Sequence, residues 1–253
     1  MRLVSYNILD GGEGRADPIA EVIEAQRPDL VAVVEADFMP TLERIASRLK
    51  FDFIHAQGNG HAVALLSRWP IAWSVNHAPL RPVSVKCLLE VQIDAPDRAW
   101  TIGVTHLHAH ARESDEEQRL AEIDTLLTVF ARHRSEGLPH LIVGDFNANH
   151  PEQVIDPERC KPRTREDWTA NGNRLPRRAI GKMLGAGYVD TLHAVAGKEA
   201  MASGTFSTQY PGQRVDYIFA HSAGPGAIKR VWIEHDRLAK YASDHFPVGV
   251  EIE

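Results

Sequence analysis

Cysteine is scarce in this sequence, and no apolar run is long enough to cross a membrane. Only two of the 253 residues are cysteines, Cys87 and Cys160, and their separation is not that of a metal-ligand pair. Two cysteines are too few for a disulfide framework, so we expect a reducing compartment. No stretch approaches the roughly 18 consecutive apolar residues of a transmembrane helix. These absences argue against a disulfide-stapled fold and against a membrane-spanning one.

The segment MRLVSYNILDGG also lacks a targeting signal. A secretory signal peptide needs a charged region followed by about 7–15 apolar residues, and this segment has neither. We therefore expect a cytoplasmic protein. With 43% hydrophobic and 25% charged residues, the composition is that of a globular chain, and the length is sufficient to bury a core without staples. We expect residues 1–253 to form one domain that acts as a monomer, without a stable protein partner.

Charge is unevenly distributed along the chain. The net charge of −6 disfavours a dedicated nucleic-acid binder, because such proteins carry basic surfaces. Residues 159–182 depart from this balance, with eight Lys and Arg against two acids. This basic segment either faces a phosphate-bearing substrate or is a solvated loop. Residues 151–175, which overlap it, are predicted to be a long irregular loop and, because loops carry specificity, the specificity element.

Apolar periodicity predicts interleaved strands and helices. The predicted strands are RLVSYNIL, DLVAVVEAD, AVALLS, CLLEVQI, WTIGVTHLHA, LPHLIVGDFNA, GTFST, VDYIFA, IKRVWIE and FPVGVEIE. The predicted helices are DPIAEVIEAQRP with Asp17 as N-cap, PTLERIASRLK, SDEEQRLAEIDTLLTVFARHR with Ser114 and Glu117 as a capping box, and a short one near 176–184. Because the two types do not alternate strictly, we expect an α/β sandwich of two mixed sheets with helices outside.

Polar residues of a few types stand at the ends of these apolar strands. They are Asn7, Glu35, His106, Asp145 and Asn147 at or after strand ends, and Asp216, Asp244 and His245 at or before strand starts. A buried carboxylate is costly unless it is paired, hydrogen-bonded or bound to a metal. We therefore predict that these side chains share one rim of the fold.

The stretch GDFN adds a local argument for such a rim. Side chains at i and i+2 of a strand point the same way, so Asp145 and Asn147 are predicted to aim at one spot. Gly144 leaves room for a ligand or a neighbouring chain. Carboxylate and amide oxygens suit Mg²⁺ or Mn²⁺, and these ions commonly serve phosphate chemistry.

Seven motifs together resemble a known family. SYN, VVE, LLSRWPI, THLHA, GDFNA, RVDYIF and SDHFPV occur in the order found in the endonuclease/exonuclease/phosphatase superfamily, over residues 2 to about 250. The resemblance implies a four-layered α/β sandwich and a single catalytic domain. It also implies a Mg²⁺- or Mn²⁺-dependent hydrolase of phosphoester bonds, in the first place a phosphodiesterase that uses in-line attack of water. A sequence-nonspecific endo- or exonuclease of the same family is the alternative.

The resemblance assigns one group of residues to the metal and the water. Glu35 resembles the principal metal carboxylate, with Asn7 beside it holding metal or phosphate, and Asp244 resembles a further metal ligand. Asp145 resembles the residue that orients or deprotonates the attacking water. Asn147 would steady that water or a phosphate oxygen.

A second group is assigned to the phosphate. His245 resembles the histidine that contacts the scissile phosphate, and Asp216 its hydrogen-bonded partner. His106 matches a histidine that stabilises phosphate or protonates the leaving group. Arg68, in SRWP, would bind a phosphate oxygen. Beyond the scissile phosphate, we expect Arg163, Arg165, Arg177 or Arg178 to contact the substrate.

The substrate class stays open at this level: a small phosphodiester or phosphomonoester, nucleic acid or a phospholipid headgroup. THLHAH, with His106, His108 and His110, offers a competing interpretation as the zinc motif of a dinuclear hydrolase, although the acid expected after the second histidine is missing. A non-catalytic binding module is a further alternative. It would require loss of Glu35, Asp145 or His245, and all three are present.

Overall fold

Two six-stranded β-sheets form the centre of the molecule. The structure, a computed structural model, describes residues 1–80, 85–223 and 226–253. The strands are β1 Arg2–Asn7, β2 Leu30–Val34, β3 Asp52–Gln57, β4 Ala62–Ser67, β5 Ile71–Asn76, β6 Cys87–Asp94, β7 Ala99–His106, β8 His140–Asp145, β9 Val189–Asp190, β10 Asp216–His221, β11 Ile228–Ile233 and β12 Val248–Ile252. The helices are α1 Ala16–Ala25, α2 Met39–Leu49, α3 Glu113–Val129, α4 Ala131–Ser135, α5 Pro162–Ala170, α6 Arg178–Gly185, α7 Thr191–Ala196 and α8 Arg237–Ala242. Short 3-10 helices span Asp10–Gly12, Pro157–Arg159 and Gly197–Ala202.

The two sheets share one plan. The first has the order β11-β12-β1-β2-β4-β3 and the second β5-β6-β7-β8-β10-β9. Each is antiparallel except for one central pair, β1 with β2 and β7 with β8, which runs parallel. The carboxyl ends of a parallel pair lie at the same edge of a sheet. Each sheet therefore brings two adjacent strand ends to one edge.

Strand alternation separates an inner from an outer face in both sheets. Leu3 and Leu65 of the first sheet and Val104, Val143 and Ile218 of the second are buried between the sheets. Fully burying one such side chain stabilises the fold by about 1.5–3 kcal/mol. This inner layer is continuous, so it fixes how the two sheets face each other.

Helices cover both outer faces. On the first sheet, α1, α2 and α8 contribute Ile19, Ile45 and Ala239 to a cluster with strand residues. On the second, α3 and α6 contribute Ile123 and Ile180. The order helix, sheet, sheet, helix confirms the predicted four-layered α/β sandwich with two mixed sheets. No helix in the described ranges is long and apolar enough to cross a membrane.

Helix starts differ from the sequence predictions. α1 begins at Ala16, and Asp17 lies inside its first turn instead of capping it. α3 begins at Glu113, one residue before the predicted cap Ser114. The carboxylate of Asp115 accepts a hydrogen bond from the backbone N–H of Arg112 at 2.9 Å, so Asp115 has the capping-box role that was predicted for Glu117. The capping pattern is thus shifted along the chain.

One strand prediction and one loop prediction were also wrong. The stretch GTFST makes no strand and contributes only isolated bridges at Phe206. The predicted loop 151–175 contains α5, which starts at Pro162. Proline suits the first turn of a helix because its missing N–H would be unpaired there in any case.

Gly144 allows two strands to approach closely beside the edge where β8 ends. Its φ of +137° is accessible to glycine alone, and a Cβ there would lie 1.9 Å from the backbone oxygen of Thr105 in β7. The room that Gly144 leaves is therefore taken by the neighbouring strand, and not by a ligand.

We expect Gly144→Ala to lower the free energy of unfolding by about 3 kcal/mol, because it combines backbone strain with a clash against main-chain atoms. Gly137→Ala is the matched control: its φ is also positive at +66°, but no atom lies within 4 Å of the added Cβ. It should cost about 1 kcal/mol. Urea unfolding measures both, and equal losses would contradict the close approach.

Candidate active site

Three side chains stand in one row at the edge of the second sheet. His106 is opposite Asp145 in the parallel β7–β8 pair, and Asp145 is opposite Asp216 in the antiparallel β8–β10 pair. The alternation that directs Val143 and Ile218 into the inner layer also directs Asp145 and Asp216 to that face. All three members of the row are buried. The register of β7, β8 and β10 therefore brings three residues of the predicted rim together.

Asn7 connects this row to the first sheet. It ends β1, and its Nδ2 donates to Oε1 of Glu35 at 3.0 Å and to Oδ2 of Asp145 at 3.2 Å. Its Oδ1 accepts from the backbone N–H of Leu9. Because Asn7 is buried, its amide holds two carboxylates from different sheets within a few ångströms of each other.

Glu35 follows β2 in a turn with φ of +58°. Its Oε2 accepts a 2.7 Å hydrogen bond from the backbone N–H of Asp10. One ligand atom each from Asp10, Glu35 and His61 lie within 4.8 Å of one another. This group can hold a divalent cation: Glu35 and His61 line the cavity, and Asp10 is exposed beside them.

His245 and Asp216 form a buried pair. Nδ1 of His245 lies 2.8 Å from Oδ2 of Asp216, and Nε2 lies 3.8 Å from Oδ2 of Asp145. Burial by itself would lower the pKa of His245, but the Asp216 carboxylate, followed by Asp145, raises it to about 10. The imidazole is therefore cationic at neutral pH in the metal-free protein.

Asp145 lies at the centre of the row. Burial, reinforced by the neighbouring Asp216 carboxylate, raises the pKa of Asp145 to about 7, against the opposing effects of His245 and the Asn147 N–H. Its Oδ1 accepts that N–H at 2.8 Å. A carboxyl that titrates near neutral pH is suited to general-base work.

Asn147 is positioned differently from the prediction. β8 ends at Asp145, and Asn147 has φ of +47°, so the two residues do not share a strand face. The Nδ2 of Asn147 donates to the backbone oxygen of Leu107 at 3.0 Å. Asn147 still borders the cavity, where its backbone N–H holds the Asp145 carboxyl.

His106 is fully buried beside Asp145. Burial, and then the charge of Lys86, lower the pKa of His106 well below its ordinary value, so the ring is neutral. Nζ of Lys86 lies 3.2 Å from Nε2 of His106, and this nitrogen lies 3.7 Å from Oδ2 of Asp145. A neutral ring that accepts from Lys86 carries its proton on Nδ1, which has no hydrogen-bond partner in the described part of the chain.

Asp244 borders the cavity on the side of the basic segment. Its Oδ2 lies 2.8 Å from Nζ of Lys161, while its Oδ1 is buried and has no hydrogen-bond partner among the described residues. Nζ of Lys161 also lies 4.3 Å from the ring centroid of Phe206. An unpartnered buried carboxylate oxygen in an oxygen-rich rim fits a cation ligand.

Arg68 is not part of this site, and its prediction was wrong. It follows Ser67, which is opposite Leu30 at the start of β2, whereas Glu35 follows the end of that strand. The Arg68 guanidinium instead forms a 2.7 Å ion pair with Asp29. The antiparallel direction of β4 carries Arg68 to the far edge of the first sheet.

The remaining predicted residues gather around one cavity of about 350 Å³. Its walls include Glu35, His106, Asp145, Asn147, Asp244 and His245, while Asn7 and Asp216 support these side chains through hydrogen bonds. Sequence reasoning missed the wall residues His61, Lys86 and Lys161. His61 and Lys86 each directly precede a strand antiparallel to one that ends at the rim, and this signal could have found them.

The basic segment contributes less than predicted. Of the four arginines considered, Arg163 lines the cavity. Arg165 pairs with Glu158, and Arg178 with Glu113 and Glu117. Arg177 donates to three backbone oxygens between residues 150 and 153. The guanidinium groups of these three arginines bind neighbouring carboxylates or backbone oxygens, and none of the three lines the cavity.

Among the described residues, the histidines of THLHAH form no zinc-like cluster with one another. Nε2 of His108 pairs with Asp115 at 3.1 Å, and His110 forms part of the cavity wall. Within the described ranges, the clusters with metal-ligand proximity are Asp10, Glu35 and His61, and Asp145, Asp216 and His245. Neither cluster contains His108 or His110.

Comparison with known proteins gives a family and a fold. The sequence model of the endonuclease/exonuclease/phosphatase family matches residues 4–245. No curated protein matches the chain in sequence. The whole chain aligns in structure with 99% of an AP endonuclease from Archaeoglobus fulgidus, at 18% identity and a TM-score of 0.73.

Two further solved structures are similar. A 3′-5′ exonuclease from Neisseria meningitidis aligns with all of this chain over its own full length, at 18% identity and a TM-score of 0.75. A mannosyl-6-phosphatase from Bacteroides thetaiotaomicron aligns over 99% of its length with all of this chain, at 17% identity and a TM-score of 0.68. At these identities the likeness is one of fold.

We expect Asp216→Asn to lower the pKa of His245 well below about 10, because Asp216 contributes most to raising it. The NMR titration of the His245 ring nitrogens in metal-free protein measures this change. Asp244→Asn is the control: its Oδ1 lies 3.9 Å from Nε2, so it should lower the pKa less. An unchanged pKa in Asp216→Asn would contradict the pairing.

Proposed function

This chain belongs to the endonuclease/exonuclease/phosphatase family, and we propose that it is a divalent-metal-dependent phosphodiesterase that acts on small phosphoesters by in-line attack of water. The observation that carries the proposal is the convergence of Asp145, His245 and Glu35 on one cavity. We further propose that residues 1–253 form a single catalytic domain that acts as a monomer in the cytoplasm.

Asp145 is proposed to orient the attacking water and to accept its proton. Its pKa of about 7 leaves a substantial ionised fraction at neutral pH. The hydrogen bonds from Asn7 Nδ2 and the Asn147 N–H fix the carboxyl group in place. General-base catalysis of this kind contributes about 10²–10⁴-fold to the rate.

Two cationic groups are proposed to meet the scissile phosphate. His245, kept protonated by Asp216, contributes one positive charge close to Asp145. Lys86, whose Nζ is held by the neutral His106 ring, contributes another. Preorganised charge of this type is most effective where negative charge develops on phosphoryl oxygens. In this assignment His106 positions Lys86 and does not itself protonate the leaving group.

Glu35, Asp10 and Asp244 are proposed to hold the metal ion; the Oδ1 of Asn7 accepts from Leu9 and its Nδ2 donates to Glu35, so Asn7 positions the ligands. Their donors are oxygens, which suit Mg²⁺ or Mn²⁺. When bound, either ion neutralises phosphoryl oxygens and lowers the pKa of a water that it coordinates. Two observations support this assignment: the Oδ1 of Asp244 has no hydrogen-bond partner among the described residues, and the half-buried Glu35 lines the cavity.

The proposed substrate is small because the surroundings of the cavity offer little to a long polyanion. Duplex binding needs several phosphate contacts from Lys and Arg, yet Arg165, Arg178 and Lys182 of the basic segment are paired with acids outside the cavity, and the net charge is −6. Lys161 and Arg163 line the cavity and are the residues proposed to contact a substrate anion beyond the scissile phosphate.

Metal removal tests the cofactor. We expect dialysis against EDTA to abolish hydrolysis of bis-p-nitrophenyl phosphate and either Mg²⁺ or Mn²⁺ to restore it, because the proposed ligands are mostly oxygens. Release of p-nitrophenolate measures the rate. Full activity in EDTA, or restoration by Zn²⁺ alone, would contradict the proposal.

A substrate panel at fixed Mn²⁺ tests the reaction. We expect turnover of bis-p-nitrophenyl phosphate to exceed nicking of plasmid DNA, and Asp145→Asn to lower kcat about 10³-fold by removing the base. Arg68→Ala should leave kcat unchanged, because Arg68 pairs with Asp29 at the far edge of the sheet. Comparable plasmid nicking would assign a nucleic-acid substrate, and no turnover of any phosphoester would indicate a binding module.

A further inference from the structure

His61 lies beside Glu35 because of how two strands pair. β4 begins at Ala62 and runs antiparallel to β2, and the backbone N–H of Ala36 donates to the oxygen of Ala62 at 2.9 Å. The residue that precedes β4 must therefore lie next to the residues that follow β2. His61 accordingly lines the cavity together with Glu35.

The His61 ring is held in one orientation by Asp37. Nδ1 of His61 lies 2.6 Å from Oδ2 of Asp37, and the other oxygen of this carboxylate accepts the backbone N–H of Ala62, also at 2.6 Å. In the neutral ring, Asp37 therefore fixes the proton on Nδ1, and Nε2 is the nitrogen that carries the lone pair. A carboxylate behind one ring nitrogen is the usual support of a histidine whose other nitrogen binds a metal.

The rest of the cluster supplies oxygen donors. Ligand atoms of Asp10 and Glu35 lie within 4.8 Å of a ring nitrogen of His61 and of each other. Such a set needs only small side-chain movements to surround a cation with ligand distances of about 2.0–2.2 Å. Two carboxylates and one imidazole also differ from an all-oxygen set, because imidazole suits transition metals better than Mg²⁺.

We propose that His61 is a direct ligand of the metal ion alongside Glu35 and Asp10, with Asp37 as its positioning residue, and that the site therefore binds Mn²⁺ more tightly than Mg²⁺. This inference rests on the proposed function, which places the cation at Glu35. It adds a nitrogen ligand and a metal preference to that site.

Pulsed EPR of bound Mn²⁺ gives a readout that does not depend on activity. A histidine ligand produces ¹⁴N coupling to the manganese electron spin, whereas carboxylate and water ligands do not. We expect the wild-type protein to show this coupling and His61→Ala and His61→Gln to lose it. His110→Ala is the matched control, because His110 lines the same cavity outside the cluster, and it should retain the coupling.

Metal affinity provides the second measurement. By calorimetry, we expect His61→Ala to weaken Mn²⁺ binding at least about tenfold, and Asp37→Asn to weaken it by about 10–100-fold through loss of ring orientation. Mg²⁺ binding should change less, because Mg²⁺ gains little from an imidazole. The thermal melting of each metal-free variant confirms that it is folded; the His61 side chain is 32% exposed, so its loss leaves no large cavity.

Two outcomes overturn the inference in distinguishable ways. If Mn²⁺ binds and Glu35→Gln weakens it, but the ¹⁴N coupling is missing or survives in His61→Ala, then His61 is not a ligand while the proposed metal site stands. If the wild-type protein binds no Mn²⁺, or Glu35→Gln leaves its affinity unchanged, the metal site of the proposed function fails as well.

Discussion

One asparagine amide joins the two sheets at the edge where the cavity lies. Asn7 Nδ2 donates to Glu35 from the first sheet and to Asp145 from the second. Without donors between them, two acids in a buried rim would repel each other and lose their solvation. The His245–Asp216 pair lies beside Asp145, and the backbone N–H of Asp10 is hydrogen-bonded to Glu35. The positions of both groups therefore depend on where these two carboxylates lie.

The site combines charged side chains, each of which would be costly to bury alone. Asp145 and Asp216 face each other in register, and His245 contacts both. The neighbouring carboxylates raise the pKa of His245 to about 10, and burial raises the pKa of Asp145 to about 7. Both pKa values are raised, so at neutral pH His245 stays protonated while part of Asp145 is ionised, and the acid and base roles are divided within one small volume. The pKa of Asp145 and the pKa of His245 therefore depend on each other.

Much of the fold and part of the site could be predicted from local patterns. Period-2 burial fixes which strand residues face inward, so Asp145 and Asp216 at strand ends were sound predictions for a shared rim. Arg68 failed because its position depends on the direction of β4 relative to β2, which no local pattern encodes. Arg165 and Arg178 failed for a similar reason, since their acidic partners come from other elements.

The pairing of β1 with β12 has a consequence for the life of the polypeptide. Arg2 is opposite Glu251 in this ladder, and Asn7 and His245 depend on the same sheet for their positions. A chain emerging from the ribosome can make β1 and β2 early, but the first sheet stays open on one side until β12 appears. The site is therefore not assembled before β12 pairs with β1, and until then β1 carries an exposed strand edge.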